Sequence, residues 1–393
     1  TITSVTGATL RGTSGKRVLK ITGGADITFE NISVTGGSTT ANGGGVYITG
    51  DQNKVKFSGG SITGNTAYSG GGVFIEDSNS TATTGSEFTL IGGEISGNTA
   101  TGAASGNSAS SPLSGMGGGG GVYVKGDALF WLASGTIANN TAKGAGGGVL
   151  VNGNVASGIE DGFLMSGGKI TGNKSTSTTY PHGGGGVYVA HGAFEMLGGE
   201  VTGNTATRQG GGVFVHWGDA RFTASGNSTI TGNEGVGSSK AICNRGTTEM
   251  MGNARADRVY VWNYDDAGVA DQSFKLAQNT QITGIVLAYS AENANVIDIV
   301  DSFAGTNAIC TIDLESHLDS GGRFAGQLEP DWLGKRVITG NNTTLNAVLG
   351  ISPAGPDRLP LNSFTGTPSV YNMGTHYKIN VAAAATTGTF EKK

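Results

Sequence analysis

Two short phrases recur through the first 254 residues, and their spacing leaves few folds open. One is a glycine cluster running into a β-type triplet: Val46-Tyr47-Ile48, Val73-Phe74-Ile75, Val122-Tyr123-Val124, Val149-Leu150-Val151, Val187-Tyr188-Val189 and Val213-Phe214-Val215. The other closes on asparagine, as in Ile62-Thr63-Gly64-Asn65, Ile95-Ser96-Gly97-Asn98 and Ile170-Thr171-Gly172-Asn173. Between them lies a third strand-like segment, with Val55 and Phe57, Phe88 and Leu90, Phe130 and Leu132, Phe163 and Met165, or Phe194 and Met196 at alternate positions. From Val46 to Val73 is 27 residues, from Val122 to Val149 is 27, and from Val187 to Val213 is 26.

That length holds three short strands and three tight turns. No stretch shows the i, i+3, i+4, i+7 spacing of an amphipathic helix, which removes helical solenoids and βαβ units. A propeller blade needs roughly 40–45 residues and four strands. The spacing therefore predicts an all-β chain wound as a right-handed parallel β-helix of three sheets. Each circuit takes about 27 residues and advances by one strand spacing, ~4.8 Å. Glycine use marks a second zone: residues 1–254 hold 59 of the 72 glycines, and residues 255–393 hold 13 glycines and five of the seven prolines. Residues 255–393 are read as degenerate turns followed by an irregular, β-rich cap. The repeat already decays after Asn233, before that boundary, where Ala241-Ile242-Cys243 is matched to the triplet at Val213.

Composition closes off other classes. Seven prolines and clustered glycines exclude collagen. A net charge of −5 and abundant β-branched residues argue against disorder, and a pI near 5.6 gives no reason to expect nucleic acid. No apolar run approaches the ~20 residues of a membrane-spanning helix, so direct membrane insertion is not expected. Thr1 does not open a signal peptide, and the chain reads as a mature or trimmed product.

Strand alternation assigns the faces. The flanking residues of each triplet point inward and the middle one outward, placing Tyr47, Phe74, Tyr123, Leu150, Tyr188 and Phe214 in one outward column. Exposed, such a column is an interface or a platform for sugar rings, and Tyr123→Ser with Tyr188→Ser is expected to weaken binding while sparing the fold. Side-chain stacking along the sheet, or a covering insertion loop, explains the same column without a ligand. Asn65, Asn98, Asn140, Asn173, Asn204 and Asn233 are expected to stack as a hydrogen-bonded ladder at a turn that tolerates the left-handed conformation. Two insertions, in residues 99–118 and 174–183, leave from the same corner; the second carries Tyr180-Pro181-His182.

Gly59-Gly60-Ser61-Ile62-Thr63-Gly64-Asn65-Thr66-Ala67, Gly70-Gly71-Gly72-Val73-Phe74-Ile75 and the entry strand from Ile27 to Gly37 resemble the pectin-lyase-like β-helix repeat proteins of bacterial surfaces. These are adhesin-like proteins with polymorphic-outer-membrane-type repeats. The likeness covers roughly residues 20–254, and Gly334 to Gly340 adds a weaker one. It implies export, an extracellular or cell-surface location, and adhesion or a structural role. It carries no catalytic set onto this chain.

Chemistry is thinly represented. Polysaccharide-cleaving β-helices need paired carboxylates, or a base beside a calcium cluster, on one outward face. Here 15 acidic and 14 basic residues are spread over 254 positions. Lys169 and Glu200 read as a solvated cross-strand ion pair. Glu76-Asp77, Glu160-Asp161 and Asp265-Asp266 lack further oxygen ligands in sequence. His182, His191, His216, His317 and His376 read as surface residues, since no third zinc ligand accompanies any pair. Cys243 and Cys310 read as small buried hydrophobes, with a disulfide between them the other reading. No catalytic residue, metal or cofactor is assigned.

The expected function is thus a non-enzymatic exported protein of adhesion or scaffolding. Its partners would be a host or environmental glycan, a surface protein, or a second copy joined end to end. A carbohydrate-active β-helix enzyme and a glycan-binding module are the alternatives.

Overall fold

A computed structural model describes residues 1–77, 85–103, 116–154, 162–179, 182–236, 240–262, 273–287 and 297–299. It also gives the backbone of strands Ile312–Leu314, Arg336–Thr339, Tyr377–Asn380 and Thr387–Lys392. Glu160, Asp161, Tyr180, Pro181, Asp265, Asp266, Cys310, His317 and His376 lie outside the described residues, as does most of the first insertion.

Among the described residues the chain is all-β, without helices, and its strands stack in parallel as a solenoid. The stacking puts like on like. Val46 lies opposite Val73, Val73 opposite Val122, Val122 opposite Val149, Val149 opposite Val187, and Val187 opposite Val213. In the third segment Phe29 lies opposite Phe57, and Phe88, Phe130, Phe163, Phe194 and Phe222 stack in one register; the two runs are offset by two residues, since Phe88 faces Val55 and Phe57 faces Leu90. Parallel pairing continues past residue 254, through Arg255–Val261 and Gln281–Leu287 to Ile312–Leu314. Pairing turns antiparallel between Thr387–Lys392 and both Arg336–Thr339 and Tyr377–Asn380.

The interior is one continuous apolar core holding the flanking triplet residues, the phenylalanines of the third segment and the isoleucine or valine before each asparagine turn. Inward alternation builds it, because residues i and i+2 of a strand share a face. Neighbouring rings within the row lie nearly parallel at Phe163 and Phe194, with centroids 4.5 Å apart and planes 6° from parallel.

A smaller five-stranded parallel sheet follows the asparagine corner, formed by Thr66–Ala67, Thr99–Ala100, Thr141–Ala142, Lys174–Ser175 and Thr205–Ala206. Its second position is buried and small in every rung. Ser175, where the others have alanine, donates to the Gly144 carbonyl at 2.8 Å.

The glycine clusters have two distinct jobs, visible at Gly119-Gly120-Gly121. Gly119 takes a φ of +63°, which L side chains rarely adopt. Gly121 needs hydrogen for a different reason, since a Cβ there would sit 2.8 Å from the Gly148 carbonyl of the next rung. These corners are packed backbone against backbone.

Candidate functional site

The asparagine ladder is present as an unbroken chain of hydrogen bonds. Both the backbone N–H and the side-chain amide of Asn65 donate to Asn98 Oδ1, at 3.0 Å each. The pattern repeats from Asn98 to Asn140, Asn140 to Asn173, Asn173 to Asn204, and Asn204 to Asn233. All six side chains are buried. Each amide also donates to a carbonyl of an earlier rung, as Asn140 does to Ile95 at 2.9 Å. One detail differs from expectation. The left-handed residue is the one before each ladder asparagine: Gly64, Gly97, Asn139, Gly172, Gly203 and Gly232, with φ between +54° and +65°. Where glycine is replaced, asparagine takes its place, the side chain that tolerates that conformation best.

The column of middle triplet residues also exists, but it is not the exposed stripe that alternation alone allows. Phe74, Tyr123, Leu150, Tyr188 and Phe214 are buried, and only Tyr47 is half-buried. They point out of the lumen, as expected, into a second apolar layer shared with Met116, Ala145, Ala190, Cys243 and the partly covered Trp217 and Tyr260. The cover is the glycine corner itself. A Cβ on Gly118 would lie 2.7 Å from Leu150 Cδ1, and one on Gly184 would lie 2.7 Å from Tyr188 Cβ. Tyr123→Ser and Tyr188→Ser would therefore empty a packed layer, and a loss of binding in them would not identify a surface contact.

Each tyrosine of the column pairs its hydroxyl with a polar side chain one rung on, just beyond the triplet. Tyr47 bonds Glu76, Tyr123 receives a bond from Asn152 at 3.0 Å, and Tyr188 bonds Nδ1 of His216. Sequence reasoning missed these partners. Their signal was the recurrent polar residue after the triplet, at 28 or 29 residues from each tyrosine. Burial pushes the Tyr123 hydroxyl up to about 12, so it stays protonated. Tyr123→Phe is expected to cost about 1 kcal/mol in denaturant unfolding, because it removes one buried hydrogen bond while keeping the ring.

At the Tyr47 end the groups are half-buried and charged. Glu76 takes bonds from Tyr47, from Thr49 at 3.1 Å and from Lys125 at 3.3 Å, while Arg17 stacks over the Tyr47 ring at 4.2 Å. Burial pulls the Glu76 carboxyl up, but the Tyr47 bond and the Lys125 charge outweigh it and hold it below its ordinary value. Asp77 is taken up separately, accepting the Ser86 N–H at 2.8 Å.

At the other end the column meets histidines, and here the surface placement expected for them is corrected. His182, His191 and His216 are all buried. His182 Nδ1 lies 3.3 Å from the Tyr188 hydroxyl, and the rings of His182 and His216 stand edge-on at 6.0 Å. Trp217 packs on His216 at 4.4 Å and stacks with His191 at 5.9 Å. His191 Nδ1 faces both oxygens of Asp219, at 2.9 and 2.8 Å. The Nε2 atoms of all three rings are buried without a hydrogen-bond partner. Burial lowers His182 to about 4 and takes His216 well below the ordinary imidazole value. Arg245, His182 and His191 push His216 further the same way.

Cys243 is buried, yet in this outer layer beside Phe214, one position away from the inward site expected for it. Lys169 and Glu200 form the expected cross-strand pair at 3.1 Å, both largely exposed. Among the described residues, no group of three or more histidine, cysteine, aspartate or glutamate side chains is placed to hold a metal ion. Comparison with protein-family models, with curated proteins and with solved structures gives no match, so what is known of this chain's likeness is its all-β, parallel, solenoidal architecture.

Proposed function

We propose that this chain is a non-enzymatic, exported scaffold or adhesion protein of the extracellular space or cell surface. Its solenoid would be wound as a right-handed parallel β-helix of three sheets, at about 27 residues per circuit, as in the pectin-lyase-like repeat proteins of bacterial surfaces that its phrases resemble. One observation carries the reading: the side chains suited to recognition or chemistry are spent on holding rung to rung. The aromatic column is covered, the asparagines bond one another, and Glu76 is engaged by Tyr47, Thr49 and Lys125. What the described rungs offer outward is mainly serine, threonine and scattered ion pairs such as Lys169–Glu200, with isolated apolar side chains such as Ile91 and Leu197 among them. A long ladder of that kind supplies length and stiffness.

A polysaccharide screen tests this directly. Incubation with acidic and neutral polysaccharides is expected to release neither unsaturated products nor new reducing ends, whether or not the polymer binds. Turnover of any one of them would replace the scaffold with a carbohydrate-active enzyme. Binding without turnover would favour an adhesin or glycan-binding module over a plain spacer.

End-to-end self-association belongs to the same reading. Strand Ile2–Arg11 pairs with Asp26–Thr35 along one edge, and Ile2 and Val5 are exposed. Strand edges of this kind accept further strands. Light scattering is expected to show mass rising with concentration, and a constant monomer mass at high concentration would remove this element.

A further inference from the structure

Two histidines from different segments converge on one phenol. Tyr188 comes from strand Val187–His191, His216 follows strand Val213–Val215, and His182 precedes the glycine corner that covers the column. The Tyr188 hydroxyl meets Nδ1 of both rings. A phenol has a single hydrogen, so it donates to one Nδ1 and must accept an N–H from the other. The two neutral rings therefore carry their protons on opposite nitrogens. One has Nδ1–H and a bare Nε2; the other has Nε2–H and a bare Nδ1.

That arrangement has a fixed capacity for protons. A first added proton settles on the bare Nε2 and leaves both bonds to Tyr188 intact. A second must go to the remaining bare Nδ1, the atom that was accepting the phenol's hydrogen. Two N–H groups then point at one oxygen, and the Tyr188 hydrogen has lost its acceptor. The charged groups around the site oppose both additions or are engaged elsewhere. Arg245 stands near Tyr188 and His216, His191 lies within electrostatic reach of His216, and Asp219 is held by His191. Cys243 and Tyr123 are the other ionisable neighbours of Tyr188.

We propose that His182, Tyr188 and His216 form an acid-released latch, which at neutral pH pins the corner His182–Gly186 over the Tyr188 rung of the aromatic column and on double protonation lets it go, uncovering Tyr188. The corner is otherwise held by backbone bonds, such as Gly184 N–H to the Gln209 carbonyl at 3.1 Å. Burial keeps both rings neutral while the latch is shut, with His182 at about 4. In the open form each ring returns toward the ordinary value of 6.5. Below that pH the open form is favoured about tenfold per unit for each histidine released, until the closed form titrates as well.

The test uses the full chain, with Trp217 as reporter because its ring packs on His216, and Trp217→Phe to assign the signal. Emission and uptake of a hydrophobic dye are followed from pH 7.5 to 4. A reversible change centred between pH 6 and 4, with a steepness of about two protons, is expected. His182→Gln can still donate to Tyr188 but cannot titrate, so the transition should become shallower, near one proton, and move to lower pH. His191→Gln should keep the two-proton steepness, with only a small shift of the midpoint through its charge on His216. The latch is overturned if emission and dye uptake stay flat over the range, if His182→Gln reproduces the wild-type curve, or if the transition follows His191 instead. His216→Gln should likewise lower the steepness to near one proton, and should that variant fail to fold, the His182→Gln steepness decides alone.

Discussion

Asn140→Ala is expected to destabilise the protein by about 4–6 kcal/mol, with the denaturation midpoint falling accordingly. Asn140 Oδ1 accepts two bonds from Asn98, at 2.9 and 3.0 Å, and its amide donates to Ile95 O and Asn173 Oδ1, both at 2.9 Å. Alanine takes one bond from each of four buried polar groups, of which the Asn98 amide keeps Ile62 O and Asn173 Oδ1 keeps the backbone N–H of residue 140, and each lost bond costs roughly 1–3 kcal/mol before local relaxation. Water has no easy route to them, since the whole ladder is enclosed. The adjacent residue supplies the control. Asn139 is exposed, with φ at +54°, and its equivalents in the other rungs are glycine. Asn139→Gly should stay within about 0.5 kcal/mol of the wild type. Equal effects from the two substitutions would mean that the corner is stabilised by its backbone shape and not by the ladder. Because a solenoid is held mainly by nearest-neighbour contacts, the Asn140 variant should also unfold over a broader range, as rungs on either side lose their coupling.

What could be read from the sequence follows from one property of solenoids: residues that touch are separated by a nearly constant number of positions. That made the valine rows, the phenylalanine row and the asparagine ladder legible before any coordinates. It failed where hydrogen bonding replaces hydrophobicity. Ala241-Ile242-Cys243 was the better apolar match to Val213-Phe214-Val215, but the chain uses Ile242-Cys243-Asn244. The inward Asn244 is tolerated because Thr248 donates to its Oδ1 at 2.7 Å and its amide reaches the Ser273 carbonyl at 3.2 Å. A shift of one residue moves every side chain to the other face, so Cys243 lands in the outer layer. The column of middle residues was legible as a column, whereas its exposure was not. Cover is supplied by glycine backbone, which has no side chain and so leaves no periodic signal. The histidine cluster was hidden for a related reason. His182 arrives from an insertion, outside the repeat, and only the folded corner brings it to Tyr188.

Phe163→Ala is expected to cost about 4–5 kcal/mol, near the upper end for a buried aromatic. Phe163 lies between two parallel neighbours, with centroids 5.0 Å from Phe130 at 13° and 4.5 Å from Phe194 at 6°. Truncation removes the transfer energy of the ring, leaves a cavity inside a closed coil, and deletes two stacked pairs worth roughly 0.5–1.5 kcal/mol each. Relaxation is limited, because each neighbouring ring is tied to its own rung by main-chain pairing on both sides. Phe163→Leu separates the contributions: it keeps most of the volume and loses the stacking, so a cost of about 1–1.5 kcal/mol is expected. The row contains a natural precedent for substitution, since Thr248 lies between Phe222 and Phe274 and is buried. Its hydroxyl is spent on Asn244, so a gap in the aromatic row is tolerated there by a polar pair that Phe163 does not have. Phe163→Thr should therefore be at least as damaging as the alanine variant, as its buried hydroxyl would lack such a partner. Denaturant unfolding of the three variants gives the order Leu, Ala, Thr if the row stabilises the coil by packing. A threonine variant close to the leucine one would show instead that the interior at this rung is loose enough to satisfy a hydroxyl.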